Sequence, residues 1–301
     1  MIIGHTSPYT FLEKAFANKQ HQAFLLTGEV GIGKASAAKH LALSELTKAS
    51  PFNANIVQQQ CAAGSYQNYF YLTLIQDEDG KQKSEITIEQ VRSLLSRLKQ
   101  KAAIQGPRIV IIDSIDQMNR QGANALLKIL EEPPQDTFFL LVCHSLGKVL
   151  PTIRSRCIRV DFKPLTNEEM EKFSTVQGEK VDKEVLLMAA GSPGAYQRIQ
   201  QAGGVSVLES IRKLLQMSNM NDVKAALQDL LKQSDDNFLG YLLHQLLYNQ
   251  ALKNPATYAE SAHAVEKFMF YTQGTHLDGA HRLQAALLLA KTPREAAIIY
   301  G

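Results

Sequence analysis

Residues 21–46, with the sequence HQAFLLTGEVGIGKASAAKHLALSEL, decide how the first half of this 301-residue chain folds. The run from His21 to Thr27 is short and apolar, which is typical of a buried strand. A glycine-rich turn follows it, and Ser36 to Leu46 then combines helix-forming residues with an apolar stripe. The stretch therefore predicts a strand, a loop and a helix in that order.

The loop of this unit, GEVGIGK at residues 28–34, has the pattern of a phosphate-binding loop. Its glycines, Gly28, Gly31 and Gly33, let backbone N–H groups approach an anion at the start of a helix. Lys34 is placed to reach the outer phosphates of a nucleotide. We therefore expect a nucleotide site here; the alternative is that the glycines only form the turn.

The position after the lysine departs from an active phosphate-binding loop. The complete motif closes with serine or threonine, whose hydroxyl binds magnesium, whereas this chain has Ala35, whose methyl group cannot bind a metal. Ser36 comes one residue late, and one step along a helix rotates a side chain by about 100°. We expect ATP, if it binds, to be held weakly, with little magnesium and without hydrolysis.

The remaining strands of this half lead to a second nucleotide-site residue. Arg108 to Ile112 reads as a buried strand that ends at Asp113, where related NTPases hold magnesium through an acid; the alternative is a plain acid at a strand end. A helix is predicted from Asn119 to Leu130, and strands from Thr137 to Cys143 and from Cys157 to Phe162. Such alternation predicts an α/β fold with a parallel sheet covered on both faces.

Two longer motifs carry a family resemblance. They are PTIRSRC at residues 151–157 and NALLKILEEPP at residues 124–134. With the phosphate loop and the Asp113 strand, they resemble the clamp-loader family of AAA+ proteins over about the first 200 residues, in one continuous order. The resemblance implies an AAA+ P-loop parallel-sheet domain with a small helical lid, followed by an all-α C-terminal collar domain.

The resemblance also implies a role for Arg156. In this family the arginine of the Ser-Arg-Cys motif leaves its own subunit and reaches the γ-phosphate of ATP bound by the neighbour, so Arg156 is assigned as an arginine finger in trans. The implied partners are the gamma/tau and delta subunits of a clamp loader, and the beta clamp and primed DNA through the complex. The alternative for Arg156 is a surface ion pair that helps docking without catalysis.

Three positions differ from the active motor subunits of the family. Motors have a glutamate where this chain has Ser114 and a lid arginine where this chain has Gly194. Together with Ala35, these differences remove metal binding, activation of water and charge neutralisation. The resemblance thus implies a non-motor, or stator, subunit. No zinc is expected, because only Cys61 lies where many relatives insert four cysteines. Gln58 to Lys83 in that interval are expected to form a strand or loop.

The second half of the chain shows helical patterns and no strand candidate. Thr166 and Glu169 form a capping-box pattern at the start of the first predicted helix. We expect an AAA+ P-loop-like domain over 1–163, a helical lid over 164–203 and a collar over 204–301. The predicted helices cover 166–173, 183–190, 194–201, 205–217, 222–232, 237–252, 257–271 and 279–290.

Composition limits the remaining function classes. The chain has 32 Lys plus Arg against 29 Asp plus Glu, a net charge of +3, and lacks the cationic tail of a dedicated nucleic-acid-binding protein. Its three cysteines are widely spaced without a C-x-x-C pair, which argues against a disulfide framework and a structural zinc site. No segment is long and apolar enough to cross a bilayer, so we expect a cytoplasmic protein.

Two other functions remain open from the sequence. One is an active gamma/tau-type clamp-loader ATPase in which Ser36 and Asp116 replace the missing groups. The other is a nucleic-acid-binding module without a loader role, which the mild charge balance disfavours.

Overall fold

The computed structural model describes residues 2–19, 21–75, 83, 85–100, 104–178, 181–272 and 277–291. The chain divides into two compact units, Met1–Gln177 and Gly178–Gly301. The three-domain division with boundaries after residues 163 and 203 stays a prediction.

A five-stranded parallel sheet forms the centre of the first unit. The strand order is β2-β3-β4-β1-β5, so β1 lies between β4 and β5. This arrangement confirms the predicted parallel α/β fold, and it brings the carboxyl ends of all five strands to one edge of the sheet. The strands are β1 (Ala23–Thr27), β2 (Tyr69–Thr73), β3 (Arg108–Asp113), β4 (Thr137–Cys143) and β5 (Ile158–Asp161).

Helices cover both faces of this sheet. In β1, Phe24 and Leu26 pack against α1, α2 and α3, while Leu25 packs on the opposite face with α4, α5 and α6, because successive side chains of a strand alternate. Every residue of β4 is buried, as a strand between two helical layers requires. The helices of this unit are α1 (Thr6–Asn18), α2 (Lys34–Ala49), α3 (Ala54–Ala62), α4 (Ile88–Lys99), α5 (Arg120–Glu131), α6 (Pro151–Arg154) and α7 (Asn167–Val176).

Local sequence signals explain several helix boundaries. Asn119 caps α5 by accepting a hydrogen bond from the Gly122 N–H, and the helix ends before the prolines at positions 133 and 134. The capping box of Thr166 and Glu169 opens α7, which confirms that prediction. Each predicted strand and each predicted helix of the first unit is present, and no end differs from its prediction by more than three residues.

The interval from Gln58 to Lys83, predicted as a strand or loop, is only partly so. It begins inside α3 and contains β2, and residues 76–82 lie outside the described residues. Helix α3 carries just two fully buried side chains, Val57 and Cys61, so its short sequence shows little of the periodicity that predicts a helix. Asn53 caps it by accepting a hydrogen bond from the Ile56 N–H.

The second unit is helical throughout its described residues, as predicted. Among all the helices that the structure describes, none combines the length and apolar character needed to span a bilayer. The helices are α8 (Lys183–Ala189), α9 (Pro193–Gln201), α10 (Val205–Gln216), α11 (Met220–Leu231), α12 (Asp236–Lys253), α13 (Pro255–Tyr271) and α14 (Gly279–Lys291).

A buried arginine joins three helices of this unit. Arg282 of α14 forms an ion pair with Asp236 in the first turn of α12. Its Nη2 donates to Asn237 Oδ1 at 3.1 Å, and its Nε donates to the hydroxyl of Thr272, directly after α13, at 3.2 Å. Only 6% of the Arg282 side chain is exposed, so these contacts replace water around its charge.

We expect Arg282→Met to destabilise this unit by about 3–5 kcal/mol, because Asp236 would keep a largely buried charge without its partner. Urea unfolding measures the loss, and faster amide exchange in α12 and α14 locates it. Lys232→Met is the matched control: its pair with Asp229 is exposed, so a change of at most about 1 kcal/mol is expected. Equal effects of the two substitutions would contradict a structural role for the Arg282 pair.

Candidate functional site

The phosphate loop runs from the end of β1 to the start of α2. Gly28, Gly31 and Gly33 have φ values of 148°, 80° and 106°, in the region that favours glycine. A Cβ on Gly28 would lie 2.4 Å from the carbonyl oxygen of Phe162, so a larger residue does not fit there. The predicted loop glycines thus have the backbone conformation that a phosphate cradle needs.

The lysine of this loop is buried and bonded to its own chain. Lys34 is only 2% exposed, and its Nζ donates to the carbonyl oxygen of Gly28 at 2.7 Å and to that of Glu29. Nζ also lies 2.9 Å from Nδ1 of His144. Burial lowers the pKa of Lys34 to about 8, against the opposing effect of nearby groups that include Asp116. The Lys34 ammonium, which was predicted to reach the phosphates of a nucleotide, therefore bonds to carbonyl oxygens of its own loop in this structure.

His144 accepts from this lysine, so its ring proton lies on Nε2. Burial lowers the pKa of His144, and the charge of Lys34 lowers it further. A neutral imidazole with a bare Nδ1 is the form that an ammonium donor requires. His144 is therefore a partner of the phosphate loop in this structure.

The predicted acid Asp113 lies at the end of β3, half-buried. Its Oδ2 accepts a hydrogen bond from the hydroxyl of Tyr71 at 2.7 Å, and Nζ of Lys39 lies 4.2 Å from the centre of the Tyr71 ring. Burial raises the pKa of Tyr71 well above its ordinary value, and the bond to Asp113 raises it further. Tyr71 therefore remains a hydrogen-bond donor to this carboxylate at neutral pH.

Asp116 has a positioning role that the sequence did not indicate. Its Oδ1 accepts the N–H of His144 at 3.0 Å and its Oδ2 accepts the N–H of Ser145 at 3.1 Å. Both carboxylate oxygens thus fix the backbone that follows β4. Ser114 is buried with its hydroxyl 3.1 Å from Oε1 of Gln117, so it too faces an internal partner.

The residues at the position expected for magnesium differ from those of the phosphate loop in how well they suit their ligand. Ala35 packs its methyl group against the core, and Ser36 is exposed on α2, as the 100° rotation predicts. Among the described residues, no group of three or more His, Cys, Asp and Glu side chains could hold a metal ion. The loop glycines and Lys34 fit a phosphate. For magnesium, Asp113 is present, but the hydroxyl that would complete the coordination is missing, because Ala35 stands at its position.

Sequence reasoning also missed His5. Its Nε2 lies 2.7 Å from the carbonyl oxygen of Ile32 within the phosphate loop, and its ring meets that of Phe162 edge-on at 4.9 Å. The contact joins residues 27 positions apart, so no local pattern could indicate it. It fixes a second point of the loop by a side chain of the same chain.

Arg156 lies at the surface, and its contacts involve no residue of the phosphate loop. Its Nε donates to Oε1 of Glu131 at 2.7 Å, and its Nη2 pairs with the same oxygen. Its Nη1 donates to the carbonyl oxygen of Thr152 at 2.7 Å and lies 3.4 Å from the Ser155 hydroxyl. The structure thus assembles Lys34, His144 and the phosphate loop into one site, and it keeps Arg156 apart from them.

Comparison with known proteins identifies the family. The family described as "DNA polymerase III, delta subunit" matches residues 5–166, more than half of the chain. The chain belongs to the DNA polymerase III delta subunit family. The match covers the phosphate loop, the Asp113 strand and the Ser-Arg-Cys motif of this family member.

Individual relatives carry the names of two different subunits. The family member is 35% identical to "DNA polymerase III subunit delta'" of Pseudomonas aeruginosa over 65% of this chain and 62% of that protein. It is 28% identical to "DNA polymerase III subunit tau" of Bacillus subtilis over 83% of this chain and 49% of that protein. The chain therefore spans less than two thirds of the length of these curated relatives.

Solved structures support the fold. A DNA polymerase III gamma subunit-related protein of Thermotoga maritima superposes with a TM-score of 0.57 at 15% identity, over 95% of this chain and 99% of that one. At this identity the likeness concerns the arrangement of strands and helices alone. It agrees with the predicted α/β domain followed by helices.

The buried lysine generates a prediction for pH dependence. Because the pKa of Lys34 is lowered to about 8 in the folded chain, the unfolded chain binds the proton more tightly between pH 8 and the ordinary lysine pKa near 10.4. The stability of the wild type relative to Lys34→Met should therefore rise as the pH increases through this window. Thermal unfolding of both proteins from pH 7 to 10 measures the difference.

Lys48→Met provides the control for this titration. The pKa of Lys48 is raised by its hydrogen bond to Glu45, which is the opposite shift, so the wild type should gain no stability relative to this variant over the same window. A flat difference between wild type and Lys34→Met would show that the ammonium is not held in the buried environment described above.

Proposed function

We propose that this chain is the non-motor, delta-prime-type subunit of a DNA polymerase III clamp loader and acts in the cytoplasm. Its partners in this proposal are the gamma/tau and delta subunits, and through the complex it helps to load the beta clamp onto primed DNA. The observation that carries the proposal is the placement of two cations. Lys34 donates hydrogen bonds within its own phosphate loop, while Arg156 lies at the surface.

The proposed contribution to catalysis is the guanidinium of Arg156, an arginine finger that enters the ATP site of the adjacent gamma/tau subunit. A finger must reach out of its own subunit, and 31% of the Arg156 side chain is exposed. A guanidinium that meets the transferring phosphate stabilises the charge that develops there in the transition state. Family membership and the relative named delta' support this assignment.

We further propose that the chain's own nucleotide site binds ATP weakly and does not hydrolyse it. Gly28, Gly31, Gly33, Lys34 and Asp113 would contact the nucleotide. The bonds that Lys34 makes to its own loop compete with phosphate, and they account for weak binding. The helices after residue 163 serve, in this proposal, as a lid over 164–203 and a collar over 204–301.

A second candidate function is an active gamma/tau-type ATPase. The similarity to the tau subunit of Bacillus subtilis, which covers 83% of this chain, favours it. The bonds of Asp116 to two backbone N–H groups and the exposed position of Ser36 weigh against their use as replacement catalytic groups. Magnesium-dependent ATP turnover by the isolated chain, abolished by Lys34→Ala, would establish this alternative.

The finger role predicts that Arg156→Ala leaves the subunit folded and assembled and slows ATP hydrolysis by the complex. At the one site that Arg156 serves, the loss should reach about 10³-fold, because the guanidinium stabilises charge on the transferring phosphate. Steady-state ATPase of the reconstituted loader with clamp and primed DNA measures it. Arg154→Ala is the matched control, since Arg154 is exposed on the same short segment.

Complex turnover that is equal for wild type and Arg156→Ala would refute the finger role. In the same reconstituted loader, Lys34→Ala should change the amount of clamp loaded onto primed DNA little, because nucleotide in this subunit is not hydrolysed. A large loss of loading there, in a protein that still assembles, would show that its own nucleotide site is used.

A further inference from the structure

The surface position of Arg156 leaves its guanidinium engaged rather than free. Glu131, the last residue of α5, provides one carboxylate oxygen to both Nε and Nη2, and Thr152 provides a carbonyl oxygen to Nη1. All three nitrogens of the guanidinium therefore have an acceptor on the same chain.

This set of contacts conflicts with the capture of a phosphate. A guanidinium binds phosphate best through two neighbouring nitrogens, either Nε with Nη2 or Nη1 with Nη2. Glu131 occupies the edge formed by Nε and Nη2, and on the other edge Nη1 already donates to the carbonyl oxygen of Thr152. Bidentate contact between Arg156 and a γ-phosphate through the Nε–Nη2 edge thus requires the Glu131 carboxylate to leave.

Electrostatics acts in the same direction. The Glu131 carboxylate offsets the charge of Arg156 and repels a polyphosphate that approaches the same nitrogens. Glu131 lies at the C-terminal end of α5, where the backbone also presents partial negative charge. The negative charge around the guanidinium therefore disfavours binding of the γ-phosphate that its proposed role requires.

The ion pair between Arg156 and Glu131 is weak enough to open when a neighbouring subunit docks. The Arg156 side chain is 31% exposed and that of Glu131 is 48% exposed, so water and salt screen the pair. Exposed pairs of this kind bias an equilibrium by a factor of about 1.4 to 5. A neighbouring subunit's bound ATP can overcome such a bias, but the bias lowers the fraction of the guanidinium that is free.

We infer that Glu131 is a resting partner for Arg156: it holds the guanidinium on the chain's own surface and yields it when the adjacent subunit presents a nucleoside triphosphate. The inference rests on the proposed finger role and adds a regulatory residue to it. Glu131 does not touch the substrate in this scheme; it acts only through Arg156.

The test is Glu131→Gln in the reconstituted loader, because glutamine keeps the shape of the side chain and removes its charge. With ATP below half-saturation, hydrolysis at the site that Arg156 serves should rise by about 1.4- to five-fold, the factor expected for loss of an exposed pair. The gain should shrink at high salt, where the wild-type pair is already screened. Glu132→Gln is the matched control, because Glu132 is the next residue, exposed, and makes none of the Arg156 contacts described here.

A double-variant cycle separates this inference from a general effect on the fold. In an Arg156→Ala background, Glu131→Gln should give no gain, because there is no guanidinium to release. Unfolding curves and assembly should match wild type for each variant. A gain that persists without Arg156, or a Glu131→Gln rate at or below wild type while Arg156→Ala is impaired, would overturn the inference and leave the finger role intact. An Arg156→Ala loader with wild-type turnover would overturn both.

Discussion

The parallel pairing of β1 with β4 on one side and β5 on the other is the constraint on which the site depends. The register places Thr27, the last residue before the phosphate loop, opposite Cys143 and Asp161. His144 therefore begins its loop beside the start of the phosphate loop, within reach of Lys34. A slip of one residue would turn every side chain of β1 to the opposite layer and separate these groups.

The two cations on which the proposed function rests, Lys34 and Arg156, are held in opposite ways. Lys34 is buried, and loop carbonyl oxygens and a neutral imidazole replace water around its charge. Arg156 keeps contact with water and meets a carboxylate that is itself half exposed. Removing the Lys34 contacts disturbs a packed interior, whereas separating Arg156 from Glu131 requires little free energy. Lys34 therefore stabilises its own subunit, while Arg156 can be released to a neighbouring subunit. The proposed stator role rests on this difference.

Much of the fold could be predicted because its signals are local. Buried apolar runs indicated the strands, helical stripes indicated the long helices, and the glycine loop with Lys34 indicated the phosphate cradle. What could not be predicted depends on distant packing: His5 meets Ile32, and Glu131 meets Arg156, across 27 and 25 positions. Asp116 was considered as a catalytic replacement, and only the structure shows its carboxylate bridging two N–H groups after β4. The roles of Arg156 and Asp113 and the three-domain boundaries remain predictions.

The loop that is closed by its own lysine has a structural consequence. A phosphate loop that depends on a ligand for its shape changes when the ligand is removed. Here the ammonium of Lys34 already occupies the carbonyl oxygens of Gly28 and Glu29, and His5 meets the carbonyl oxygen of Ile32. These contacts within the chain therefore give the loop a defined shape that does not depend on a bound nucleotide.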